Sequence, residues 1–197
     1  MSISLSKGQA ISLSKDNPGL SRVFMGLGWD PVKSGGGFLG FFGKLFGGGA
    51  AIDLDASVLV FDSAKNEIDR VCFTKLKSSN GSITHDGDNL TGEGDGDDEV
   101  IRVDLSRLDP RAAHLVFTVN SFRGQTFNEV DNAVARLVDD TNQREICTYT
   151  LREQGAHTGV VMASLSKGSD GWSMTAHGVQ ATGRTVDDLV GVSKSVI

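Results

Sequence analysis

The sequence predicts an all-β protein, an antiparallel β-sandwich carrying a few short helices and long loops. Three observations lead there. Runs of five to nine residues that alternate apolar and polar side chains recur along the chain. Turn-forming clusters such as Asn80-Gly81, Asp62-Ser63-Ala64-Lys65-Asn66 and Gly168-Ser169-Asp170-Gly171 separate many of them. Segments with helical periodicity are few. Ordinary globular composition, 39% apolar and 22% charged over 197 residues, fits one domain spanning residues 1–197, with a Gly/Phe-rich insertion at 33–51.

Taken in order, Ile3-Ser4-Leu5-Ser6-Lys7 recurs as Ile11-Ser12-Leu13-Ser14-Lys15. Both copies have the period of half-buried strands, and they are expected to pair as strands rather than to found a repeat architecture. Strands are then expected at 23–28, 54–61, 70–76, 100–105, 115–122, 145–151, 160–165 and 172–180. Residues 185–193 read as a short helix, with Thr185 as its cap and Asp187 and Asp188 in the first turn. The segment from Thr126 is ambiguous: Phe127, Val130, Val134, Leu137 and Val138 recur at helical spacing. Residues 133–138 can instead pair with 145–151 across a polar turn, and the hairpin is the reading preferred.

Several classes of protein are disfavoured. No stretch approaches 18 uninterrupted apolar residues, so a spanning helix is not expected. The opening residues lack the basic-then-apolar order of a secretory signal. Cys72 and Cys147 lie in apolar alternating runs and read as buried, reduced thiols, which points to the cytoplasm. Nucleic acid is an improbable partner because no basic stripe is present. Of the net charge of −6, the segment 86–99 supplies −7 through Asp86, Asp88, Glu93, Asp95, Asp97, Asp98 and Glu99; the remainder of the chain carries +1. The acidity is one local feature.

Two Gly-bearing stretches imitate phosphate loops and fail. Gly43-Lys44 has Phe38 where a P-loop needs its first Gly and Leu45 where it needs Ser or Thr; Gly26-Leu27-Gly28 meets Pro31 where a dinucleotide fingerprint needs a third Gly. The insertion carries Phe38, Leu39, Phe41, Phe42, Leu45 and Phe46 among eight glycines. Two readings stay open: a flap folded onto the core, or an exposed patch for a protein or a membrane surface.

The acidic segment carries the chemistry. Carboxylates 4–6 Å apart repel by about 1 kcal/mol per pair even in water. A chain tolerates this by splaying the loop into solvent or by filling it with cations. Gly87, Gly92, Gly94 and Gly96 interrupt the acids and let a short loop aim several oxygens at one point. Calcium takes 6–8 such oxygens. The spacing is not an EF-hand, since Leu90 stands where a third ligand belongs. A second cluster strengthens the metal reading: alternation puts Asp53 and Asp55 on one face and Leu54, Ala56 and Val58 on the other. Asp30 is a further candidate ligand. An oxygen-only set favours calcium over zinc, magnesium needs fewer carboxylates, and the supply of acids suggests two ions.

Gly26-Leu27-Gly28-Trp29-Asp30, then Asp53-Leu54-Asp55-Ala56-Ser57, then Thr84-His85-Asp86-Gly87-Asp88-Asn89 and Thr91-Gly92-Glu93-Gly94-Asp95-Gly96-Asp97-Asp98-Glu99 resemble the TerD family of bacterial tellurium-resistance and general stress proteins. The resemblance covers nearly the whole chain. It implies a calcium-binding β-sandwich without established enzymatic activity, with ligands among Asp53, Asp55, Asp88, Asn89, Glu93, Asp95, Asp97 and Asp98. It also implies other proteins of the stress-resistance system as partners, with the inner membrane face as a candidate place of assembly. No small-molecule substrate is identified. Two departures stand out: Leu90 replaces the family's usual Arg, and the insertion is longer than the usual link. The competing readings are a metal-assisted hydrolase or redox enzyme acting on oxyanions, and a membrane-associated adaptor working through the insertion. No Ser/His/Asp or Cys/His constellation is apparent for the former.

Overall fold

A computed structural model describes residues 2–31, 53–87, 96–152 and 154–197 of the chain. The strands are β1 (Ile3–Leu5), β2 (Ala10–Ser12), β3 (Arg22–Pro31), β4 (Leu54–Phe61), β5 (Glu67–Val71), β6 (Ile83–His85), β7 (Glu99–Asp104), β8 (His114–Ser121), β9 (Val130–Asp139), β10 (Arg144–Thr150), β11 (Gly159–Gly168) and β12 (Gly171–Ala181). Among the described residues two helices accompany them, α1 (Leu13–Asp16) and α2 (Val186–Ser195). The strands form two six-stranded sheets, ordered β1-β10-β9-β3-β7-β6 (sheet A) and β2-β12-β11-β8-β4-β5 (sheet B). All the pairings are antiparallel except β1 with β10. The all-β sandwich expected from the sequence is therefore the fold.

The core lies between the sheets. Val23, Met25, Leu27 and Trp29 of β3 face Leu54, Ala56, Val58 and Val60 of β4, with Leu137, Leu165, Phe117 and Ile101 filling the same layer. Alternation along β3 and β4 decides this directly, because every second side chain of a strand points the same way. The outer face of sheet B is closed by α2. Leu59, Phe61, Val116 and Val161 pack there against Val186, Val190, Val192 and Val196. Thr185 caps the helix as expected, with the Asp188 carboxylate accepting the Thr185 backbone N–H at 3.1 Å.

The ambiguous segment from Thr126 resolves as the hairpin β9–β10, with Leu137 opposite Cys147 and Ala135 opposite Tyr149. Its helical spacing was coincidental, and the cross-strand pairs outweigh it. The opening repeat departs from expectation. Its copies do not pair with each other: Ile3–Leu5 adds to β10 in sheet A, Ala10–Ser12 adds to β12 in sheet B, and the second copy ends as helix α1. The turn Ser6–Gln9 thus carries the chain from one sheet to the other. β6 was not anticipated from the sequence. It is three residues long, and its pairing with β7 defines it. Among the described residues, no helix is long and apolar enough to cross a membrane.

Candidate metal centre

Strand β4 begins with Asp53 and Asp55, and alternation turns both away from the core as anticipated. They are buried nonetheless, at 6% and 4% exposure. Asp53 Oδ2 meets Arg123 Nε at 2.8 Å, and the Asp53 backbone N–H donates to Gln125 Oε1 at 3.3 Å. Its other oxygen, Oδ1, is buried and accepts no hydrogen bond from the described residues. Directly across the ladder from Asp55 stands Asn120 of β8, 1% exposed. Its amide donates to the Arg184 carbonyl at 2.8 Å, while its Oδ1 is buried and accepts no hydrogen bond from the described residues. A buried acceptor left so costs about 1–3 kcal/mol. Two such oxygens beside the Asp55 carboxylate form a donor set suited to a hard cation.

The acidic segment reaches the sandwich through residues 96–98, and β3 is shaped to receive them. A Cβ on Gly26 would overlap the Asp97 carboxylate, and one on Gly28 would stand 2.9 Å from the Gly96 carbonyl oxygen. The Gly26-Leu27-Gly28 pair, unfit for a dinucleotide, is a track along which the acidic chain lies on the outer face of sheet A. The Asp98 backbone N–H donates to the Leu27 carbonyl at 2.9 Å. Asp97 is held by both oxygens: Arg136 Nε donates to Oδ1 at 2.6 Å and Nη2 to Oδ2 at 2.7 Å. Asp98 Oδ2 accepts the Trp29 N–H at 2.7 Å. Burial pushes the Asp98 carboxyl above the usual carboxylate range; the charges of Asp30 and Asp97 add to this, and the Trp29 hydrogen bond opposes it.

Glu99 joins the two clusters. It is 1% exposed, and its Oε2 accepts the Ala56 backbone N–H of β4 at 2.7 Å from across the sandwich. The same oxygen lies 3.2 Å from His85 Nε2, and His85 Nδ1 accepts the Gly87 N–H at 3.2 Å. With Nδ1 an acceptor, the imidazole proton sits on Nε2 and points at the carboxylate. The sequence had counted Glu99 among acids awaiting solvent or metal, yet alternation in Glu99-Val100-Ile101-Arg102-Val103 puts it on the face of the core residues Ile101 and Val103. That signal was there to find.

Of the eight expected ligands, Asp53 and Asp55 open β4, Asp97 and Asp98 lie on the β3 track, and the Glu99 side chain links these two groups. Asp88, Asn89, Glu93 and Asp95 lie outside the described residues, as does the insertion at 33–51. Asp30 is exposed and accepts a hydrogen bond from Asn132 Nδ2 at 3.0 Å. Among the described residues, no three His, Cys, Asp or Glu side chains gather as a complete metal cluster. Asn120 and Arg136 escaped the sequence reading because only strand register brings them here.

Both cysteines are free and buried, and burial pushes the Cys147 thiol up to about 12. His114 contacts Ser166 Oγ and His177 contacts Ser164 Oγ, both at 2.9 Å. Burial holds both imidazoles below the usual histidine value; the Lys65 charge adds to this at His114.

Comparison with known proteins agrees with this architecture. The family model described as the TerD domain matches residues 1–191. The tellurium resistance protein TerZ of Serratia marcescens is 53% identical over 187 residues, covering 95% of this chain and 94% of its own length. The stress response protein SCP2 of Bacillus subtilis (strain 168) is 42% identical, with 96% and 98% covered. A crystal structure of a homologue of a telluride resistance protein (TerD) from Streptomyces coelicolor A3(2) superposes with a TM-score of 0.67. It is 22% identical and covers 87% of this chain and 96% of that one, a likeness that speaks to the fold alone. From the match along 1–191 and these two relatives, this chain belongs to the TerD-domain family, whose members include tellurium-resistance and stress-response proteins.

Proposed function

We propose that this chain is a non-enzymatic calcium-binding module that serves bacterial tellurite and general stress resistance by presenting a calcium-ordered surface to other proteins of that system. One observation carries the reading: Asp53 Oδ1 and Asn120 Oδ1 are buried side-chain oxygens that accept no hydrogen bond from the described residues, and Asp55 stands between them in sequence and register. Oxygens in that condition are stabilised by a cation that accepts only oxygen ligands. Asp53, Asp55 and Asn120 would hold one ion at the start of β4, Asp98 would serve a second beside the β3 track, and Asp88, Asn89, Glu93 and Asp95 from the acidic segment would complete the ligand sets. When bound, calcium would supply positive charge and rigidity, and the residues named would orient the loop around it.

Calcium titration calorimetry paired with a thermal scan tests the proposal. An ion that binds only the folded chain stabilises it by about 2.7 kcal/mol at a hundred times its Kd, which raises Tm by several degrees. Asp55→Asn is expected to weaken calcium affinity at least tenfold. No heat of binding and no Tm shift at millimolar calcium would remove the reading.

A further inference from the structure

The outer face of sheet A holds an arrangement that the calcium reading does not explain. Phe24 on β3 stands across the ladder from Arg102 of β7, and Gly26, two residues on and facing the same way, stands across from Arg136 of β9. Both guanidiniums lean over the one ring, Arg102 Cζ at 5.3 Å from its centroid and Arg136 Cζ at 5.6 Å. Two like charges sharing one ring need partners. Arg102 takes Asp86, its Nε 2.9 Å from Oδ2, and Asp140, its Nη1 2.5 Å from Oδ1. Arg136 takes Asp97 in the two-pronged pair and reaches Glu145 at 3.6 Å. Asp86 and Asp97 flank the acidic run on either side. The middle of the cluster is covered, Phe24 being 5% exposed and the Asp97 side chain 10%, while the Arg102 and Asp86 side chains are 40% and 43% exposed.

We propose that Arg136 and Arg102, seated on Phe24, are positioning residues for the metal centre: they anchor Asp97 and Asp86 to sheet A, and Asp97 serves as the anchor of the acidic segment rather than as a ligand. The proposal rests on the calcium reading for its effect on ion binding, but the clamp is a property of the chain itself. Its logic is geometric. A planar guanidinium fixes a carboxylate in position and orientation at once, which a lysine does not. With Asp97 fixed over Gly26, the backbone of Asp98 is held against Leu27. The Asp98 carboxylate then stays beside the Trp29 N–H instead of sweeping through solvent. Binding to groups already in place loses less entropy.

The competing assignment, Asp97 as a ligand that must leave Arg136, predicts the opposite sign for one substitution. If arginine and calcium compete for Asp97, Arg136→Gln frees the ligand and tightens binding. If Arg136 positions the segment, Arg136→Gln weakens calcium affinity by about 10–100-fold, the range for residues that orient metal ligands. Arg136→Lys, which keeps the charge but loses the fork, then lies between. Tighter binding by Arg136→Gln overturns the proposal.

A second readout needs no calcium. In the metal-free protein the Asp98 amide is expected to be protected from hydrogen exchange. Arg136→Gln is expected to abolish that protection while leaving the Met25 and Val103 amides unchanged. Unaltered protection at Asp98 overturns the clamp whether or not calcium binds. A wild-type chain that takes up no calcium overturns the metal reading and the ion-binding effect proposed here, and the exchange result then still decides the clamp.

Discussion

The two outer faces of this sandwich are closed by opposite means. On sheet B, α2 lays Val186, Val190 and Val192 over Leu59, Phe61, Val116 and Val161, a dry apolar contact like that of any helix on a sheet. On sheet A, the described covering is charged: four carboxylates, two arginines and a phenylalanine ring, with a stretch of acidic chain lying on a glycine track. The dry face gives stability that depends little on conditions. The charged face gives less, because desolvation offsets much of the attraction between ions. The dry contact and the charged cover are thus separate within one domain, although the candidate ligands Asp53, Asp55 and Asn120 open the α2 side of sheet B.

That separation can be broken by experiment. The largest effect is expected from Phe61→Ala, which empties space beneath α2. It should cost about 3–5 kcal/mol in urea unfolding while leaving calcium affinity unchanged. A parallel collapse of calcium binding would show that the packing under α2 reaches the Asp53 and Asp55 end of the same strand. Next comes the tie between the two sheets. Glu99→Gln removes the charged acceptor shared by Ala56 N–H and His85, and a loss of about 1–3 kcal/mol should appear in the same unfolding measurement.

The smallest effect is set by pH at the β9–β10 turn. Burial raises the Asp139 carboxyl, but hydrogen bonds from the Thr141 N–H, its hydroxyl and Asn142, with the Arg144 charge, outweigh it. The folded group lies below its ordinary value. Its stabilisation is therefore present above the unfolded pKa of about 3.9 and lost as pH falls through the lower folded one. Asp139→Asn should be less stable than wild type at pH 6, and the difference should shrink as pH is taken below 4. A difference constant with pH would mean that Asp139 contributes through shape alone.

The fold was legible wherever one strand carried its own pattern. Leu54–Phe61 could be read to the residue, its Leu-Asp-Ala-Ser start alternating before Val58-Leu59-Val60-Phe61 runs apolar on both faces. Asp53 and Asp55 declared their side of the sheet by the same token. What depended on distant partners was invisible. Gly26 and Gly28 read as a failed nucleotide motif because the residues that lie on them are some seventy positions away. Asn120 had no reason to be noticed until register set it opposite Asp55. Glu99 lay between these cases: the alternation that buries it was present, but the crowd of neighbouring carboxylates masked it. The insertion at 33–51 and the middle of the acidic run lie outside the described residues.

The way residues 3–12 are spent has a consequence for handling the protein. β1 covers the open side of β10, and β2 covers that of β12, so ten residues finish one margin of each sheet. Trimming them, by a protease or by a cloning boundary placed a little too far in, would bare two rows of unpaired backbone amides and carbonyls at once. Bare rows of that kind recruit strands from neighbouring molecules. A shortened chain of this sort would be expected to self-associate and precipitate before any defect in ion binding could be seen.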